Sequence, residues 1–274
     1  MTTHAVSLEV ARRRVADALG PIPWAGGVVP GILTDHGVIT GGAAVMCFSG
    51  EVLAPSIGSS GATEDLGAAT DRVGRLILAG AVYRRHYPRG IALAFAGPGA
   101  SVPGEFPARW RALAGPRLRT ILNVLPERAS YGPGVEGAGL LTTLCLEGAH
   151  QTGVGVAPGL DGTAATTAML VQCAVEAALS ASKRLEGQPA KAVLIVESVE
   201  RFQRLGAASR DEWAVIREKV GHDVPCLGWL AGSAYAFGRG VIAGGSTESV
   251  IVAALADVPV SREPGAELDD PSAD

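Results

Sequence analysis

Arg201 stands shortly beyond an apolar run, Val193-Leu194-Ile195-Val196, that reads as a buried strand. In an arrangement of strands and helices, the carboxyl end of such a strand commonly faces a ligand crevice. A guanidinium there grips a carboxylate in a two-pronged fork. The plainer alternative is a structural salt bridge from Arg201 to Glu197 or Glu200. Ser198 and Ser233 add hydroxyls to the same neighbourhood, or else satisfy local backbone. Gly228 and Gly232 leave room on the next strand for a ligand instead of side chains. Arg201, Ser198, Gly228, Gly232 and Ser233 are therefore the candidate ligand-binding residues, with the Arg201 guanidinium expected to line the main polar cavity.

Other residues offer chemistry with less support from their surroundings. Gly159-Leu160-Asp161-Gly162-Thr163 precedes a helix, so its amides can hold an anion, while Asp161 or Thr163 can equally serve as an ordinary N-cap. Thr163 or Thr166 at that helix start is the position for a threonine nucleophile, although no base stands nearby in sequence. His4, His36, His86, His150 and His222 lack metal-ligand spacing. Cys47, Cys145, Cys173 and Cys226 form no CxxC pair and read as small core hydrophobes. No phosphate-cradling glycine motif follows a strand, and Lys183, Lys191 and Lys219 sit in no recognisable catalytic pattern.

The elements that must position these groups recur along the chain. Gly37-Val38-Ile39-Thr40-Gly41-Gly42 matches Gly240-Val241-Ile242-Ala243-Gly244-Gly245, and Gly134-Val135-Glu136-Gly137-Ala138-Gly139 is a fainter third copy. Each lies in a Gly-rich stretch that reads as a hairpin, as in Val224 to Leu255, so the chain divides into repeated helix-and-hairpin units. Ser7 caps a first helix that Gly20 ends. Long helices are expected over Thr63–Arg85 and Thr163–Leu185, strands over Gly90–Ala96, Thr120–Leu125 and Lys191–Val196, and a short helix over Pro107–Ala114. Glu51–Ala62 reads as a connector with a possible short strand, Gly148–Gly162 as a connector, and Ser209–Glu212 as a capping box. The fold class is α+β: pseudo-repeated helix and Gly-rich β-hairpin units form mixed or antiparallel sheets covered by helices. Residues 1–146 hold a partial unit (6–49) and a full one (51–146), residues 147–258 hold another full unit, and 259–274 form an acidic tail expected to be disordered.

Composition narrows the class of partner. The net charge is −4, yet the tail carries Glu263, Glu267, Asp269, Asp270 and Asp274 against Arg262 alone. The remaining body balances, which argues against a nucleic-acid footprint. Apolar residues make up 47% but aromatics only 5%, so the core is built from Ala, Val, Leu and Gly in close contact. No stretch reads as a signal peptide or membrane span, and the expected location is the cytoplasm.

Laid out this way, the chain resembles the FIST family of bacterial sensory domains. The likeness is best over Lys191–Leu255: a strand ending Ser198-Val199-Glu200-Arg201, then Leu205-Gly206, a capped helix, Val224-Pro225, Gly228 and Gly232, and Ser246-Thr247 before the last strand. Residues 21–49 resemble the Gly-rich hairpin of the family's N-terminal half. Ser198 stands where the family has Cys, and Gly232-Ser233-Ala234 where it has Gly-Glu-Ile. The resemblance implies ligand sensing coupled to intracellular signalling rather than an enzyme; a small polar or anionic ligand near Arg201 and a separate protein partner are the expectations that go with it. Some members bind haem through a His, but no local motif supports it for His36 or His150, and no cofactor is expected. A small hydrolase or acyltransferase with a Ser or Thr nucleophile is the enzyme alternative, and a structural oligomeric module the third.

Overall fold

The computed structural model describes residues 1–34, 37–50, 53–61, 65–80, 90–97, 105–115, 118–126, 130–132, 140–159, 166–238, 241–242 and 248–258. His36, Thr63, His86, the Gly134–Gly139 copy, Asp161, Thr163, Gly240, Ser246, Thr247 and the tail lie outside the described residues.

Two six-stranded mixed sheets carry the fold. In one, the order is β10 (His150–Ala157), β15 (Val250–Asp257), β11 (Ala192–Ser198), β12 (Cys226–Ala231), β3 (Ile32–Thr34) and β4 (Gly37–Ile39). In the other it is β5 (Leu53–Ser59), β9 (Leu141–Gly148), β6 (Gly90–Ala96), β7 (Leu118–Val124), β13 (Ser233–Gly238) and β14 (Val241–Ile242). Taken in these orders the two match strand for strand in sense. The third and fourth strands pair in parallel, and every other neighbouring pair is antiparallel. A small third sheet joins β1 (Thr2–Thr3), β2 (Gly26–Val29) and β8 (Ser130–Tyr131), with helix α1 (Leu8–Leu19) packed beside it.

Alternation along the strands explains how the sheets stack. On β6, Ile91, Leu93 and Phe95 face a core shared with Leu194, Val196, Ile251 and Ala253 of the other sheet. The intervening Ala92, Ala94 and Ala96 face α2 (Leu66–Gly80) and α3 (Glu105–Ala114). Val193 and Ile195 of β11 face outward in the same way, against α4 (Thr167–Lys183) and α6 (Ser209–Val220). The result is four layers: helices, sheet, sheet, helices.

Two expected features change. Gly148–Gly162 is not a plain connector, because His150–Ala157 forms the edge strand β10. Its glycines serve packing: a Cβ on Gly153 would lie 1.8 Å from the Ala181 carbonyl oxygen, and one on Gly155 1.8 Å from that of Ala177. The Ala-rich helix α4 therefore lies directly on bare backbone. Nor is Val224–Leu255 a single hairpin: its first strand breaks at Gly232, and its expected return strand, β15, pairs with β10 and β11 and not with β12 or β13. The chain leaves β12 in one sheet and enters β13 in the other, and at the crossing the Gly232 amide donates to Val124 O at 2.9 Å.

At the edge of the first sheet, β4 runs on into residues 43–50. The Met1 amine donates to Ala44 O at 2.6 Å, the Ala44 amide donates back to Met1 O, and Thr2 bridges Ala43. Beyond Ala44 the chain alternates between more and less exposed residues through Ser49, as an extended segment does. It has no strand partner there among the described residues. Ala44, Met46 and Phe48 reach back to the shared core.

Candidate functional site

Helix α6 presents Arg210, Trp213, Ala214 and Arg217 along one face, the spacing that stacks side chains over successive turns. That face looks across at β4 and the extended segment, and between them lies a groove of about 1350 Å³. Leu33, Ile195 and Leu227 contribute apolar surface from the sheet. Ile39, 38% exposed, and Val45, 58% exposed, add apolar surface open to solvent, and Cys47 carries an exposed thiol. The charged lining is Arg210, Asp211 and Arg217, with His222 at one end. Arg217 is tied to the carbonyls of Val224 and His222. Arg210 is exposed and has no hydrogen-bond or ion-pair partner among the described residues.

Behind the Trp213 wall lies a buried polar network. The Trp213 indole Nε1 donates to Glu197 Oε2 at 2.9 Å. Glu197, Arg201 and Glu212 are fully buried. Arg201 Nε donates to Glu212 Oε1 at 2.9 Å, Nη2 donates to the same oxygen and to Leu170 O at 2.6 Å, and Nη1 donates to Glu248 O at 3.3 Å. The remaining oxygens, Glu197 Oε1 and Glu212 Oε2, have no conventional donor. Burial, then the neighbouring Glu212 charge, pushes Glu197 up to about 8. Burial also raises Glu212, while Arg201 works against that rise. A hydrogen bond between the carboxyls raises Glu197 and lowers Glu212, which makes Glu197 the proton holder and Glu212 the acceptor. A proton held by Glu197 and shared with Glu212 would satisfy both orphan oxygens and leave one charge for Arg201 to balance.

The expected site residues occupy other roles. The Arg201 guanidinium does not line the groove: it is consumed inside the fold, and its acidic partner is Glu212, neither Glu197 nor Glu200. Ser198 is the N-cap of α5 (Val199–Leu205), accepting from the Arg201 amide at 3.3 Å. Gly228 makes room for Leu33 of β3, since a Cβ would lie 2.7 Å from Leu33 Cδ1. Gly232 and Ser233 sit at the crossing between sheets, Ser233 paired with Val124, and neither lines the groove. Arg201 and Ser198 come together; the glycines and Ser233 do not join them in a pocket.

The groove's own residues begin inside the Ser209–Glu212 pattern, which in sequence describes a capping box equally well. In the structure the Ser209 hydroxyl donates back to Gly206 O at 2.8 Å, and Glu212 turns inward to Arg201. The Arg210-Trp213-Ala214-Arg217 spacing was the available signal. Thr166, the alternative nucleophile, caps α4 by accepting from the Met169 amide at 3.3 Å. Among the described residues no group of three or more His, Cys, Asp or Glu side chains is placed to hold a metal, and no helix is long and apolar enough to cross a membrane. No protein-family model matches the chain, and no curated protein matches it.

Proposed function

We propose that the protein is a ligand-binding sensory module whose ligand lies in the groove between α6 and the β4 edge. The observation that carries this reading is the pairing of an apolar floor with the exposed Arg210, which has no hydrogen-bond or ion-pair partner among the described residues. A ligand with an apolar body and an anionic end satisfies both. The groove's volume exceeds the usual small-molecule pocket, about 300–1000 Å³, which favours an extended ligand over a compact one. Trp213 touches both the groove and the buried acid pair, so a ligand pressing on it bears on the contacts among α4, α5 and α6 that Arg201 holds. The resemblance of Lys191–Leu255 to FIST domains supports the same class of function, with output through a separate protein.

The test is a thermal-shift screen of carboxylates, amino acids, short acidic peptides and haem, since ligand binding raises apparent stability. Any hit is then titrated against wild type and Arg210→Ala, an exposed change expected to leave the fold within about 0.5 kcal/mol. Losing a charge-assisted contact should weaken an anionic hit roughly tenfold. A hit whose affinity is unchanged in Arg210→Ala, or a screen without hits, overturns the reading.

A further inference from the structure

We infer that the anionic end of the groove's ligand is an aromatic acid, a single carboxylate at Arg210 joined directly or through one atom to a flat ring stacked on Trp213. This rests on the reading of the groove as a binding site and names the class of ligand it takes. Arg210 alone is the grip, because the Arg217 guanidinium is already occupied by the carbonyls of Val224 and His222.

Trp213 is built as a fixed platform. Its indole Nε1 donates to Glu197 Oε2 at 2.9 Å, and Glu197 is itself fully buried, so the ring is pinned by its inner edge. One side of the ring packs on the core beneath α6, and its remaining surface lines the groove. A ring already held in place loses little freedom when a ligand settles on it. The other tryptophans are interior: Trp24, Trp110 and Trp229 are 7%, 1% and 1% exposed, whereas Trp213 is half-buried. Aromatics make up only 5% of the chain, yet Phe202 stands with Trp213 in this one lining.

The spacing of grip and platform sets the distance between acid and ring. Arg210 stands one turn before Trp213 on the same face of α6, which puts their Cβ atoms about 5–6 Å apart. Its side chain reaches across to the β4 edge, where a Cβ on Gly37 would lie 3.9 Å from Arg210 Nη2. The guanidinium thus lies beside bare backbone, and it has no hydrogen-bond or ion-pair partner among the described residues. A carboxylate gripped there carries a directly attached ring back over the indole. Ring on ring then gains an offset or edge-on contact beyond the area it buries. Asp211, turned by about 100° round the helix from Arg210, repels a second acid group, so the fit is to a monoanion. The rest of an extended ligand follows the groove past Ile39 and Val45.

Two acids of one carbon skeleton test this, naphthalene-1-carboxylate and decahydronaphthalene-1-carboxylate, each titrated calorimetrically into the full-length chain. The saturated acid has the larger apolar surface, so a groove that is merely apolar takes it at least as tightly. Stacking on Trp213 should reverse that order, with the naphthalene acid tighter by roughly two- to tenfold. Trp213→Leu should abolish the preference. Trp213→Phe, which keeps a ring but cannot donate to Glu197, should retain most of it. Both acids are measured on the same variant, so any loss of stability cancels from their ratio. Acrylamide quenching gives a second readout: Trp213 is the tryptophan open to the quencher, and the naphthalene acid should shield it. A saturated acid that binds wild type as tightly as the naphthalene acid, or a preference that survives Trp213→Leu, overturns the inference. If both acids still weaken roughly tenfold in Arg210→Ala, the groove stands as an anion site while the aromatic assignment falls. If neither acid binds, or neither responds to Arg210→Ala, the reading of the groove falls and the inference with it.

Discussion

At the scale of single residues, Arg201 is the pivot, because one guanidinium ties α5 to α6, to the first turn of α4 and to the residue before Ser249. Removing one member of a buried ion pair strands the other, so Arg201→Ala should cost roughly 3–5 kcal/mol, read as a fall in denaturation midpoint. Replacing both partners, Arg201→Met with Glu212→Leu, should cost less than the single change, and a double variant worse than Arg201→Ala would show that the pair is net stabilising here. Sequence marked Arg201 as unusual but not its direction. A charge after a strand serves a crevice or the interior equally well, and its partner stood in a pattern that also describes a helix cap. Glu197 sets the pH behaviour. An acid whose folded pKa lies above its ordinary value binds more protons folded than unfolded, so stability falls as pH rises from 4.5 to about 8. Burial of the Met1 amine, lowered to about 6, works oppositely: stability held above its ordinary value of 8 is lost as pH falls toward 6. The contribution of Glu197 is therefore isolated by difference. Glu197→Gln, which can still accept from Trp213 and donate to Glu212, should gain on the wild type by on the order of 3 kcal/mol between pH 5 and 9. Parallel pH–stability curves for the two proteins would refute the shared proton.

At the scale of elements, the strands and helices with a plain period were legible. Gly90–Ala96 is β6 as expected, and the expected helix before it buries Ala69, Val73 and Ile77 while Leu76, of the same apolar pattern, is exposed. The strand β10 was not legible, since glycine in a strand and glycine in a loop look alike until the helix above is known. Gly155 provides the measure of that difference. A Cβ there would meet the Ala177 carbonyl oxygen at 1.8 Å, and backbone cannot swing aside as a long side chain can. Gly155→Ala should therefore destabilise by about 3 kcal/mol or more, at the upper end of overpacking costs. Gly41→Ala, where the nearest atom to a new Cβ is 3.9 Å away, should be close to neutral. Similar midpoints for the two variants would mean that α4 does not lie on β10 as described.

At the scale of the whole molecule, sequence similarity between the Gly37 and Gly240 stretches fell on β4 and β14, the last strands in the two matching sheet orders. What sequence could not show is that these hairpins are exchanged: β3 and β4 complete a sheet built mainly from residues after 149, while β13 and β14 complete one built from residues before it. The sheets are also joined through their shared core. The Trp229 indole of β12 donates to Asn123 Oδ1 of β7 at 3.2 Å, Asn123 Nδ2 donates to Ala94 O at 3.0 Å, and Phe95 lies 6.1 Å from Trp229 ring to ring. With hairpins exchanged and one core between the sheets, neither half of the chain keeps a complete sheet when the other opens. The protein should therefore unfold in a single transition, with tryptophan fluorescence and far-ultraviolet circular dichroism giving the same midpoint. Asn123→Leu would leave the Trp229 indole donor buried without its acceptor, at a cost of about 1–3 kcal/mol. That loss should lower the one midpoint without splitting it. Two separated transitions in either protein would mean that the halves fold independently, and that the exchanged hairpins do not bind them into one unit.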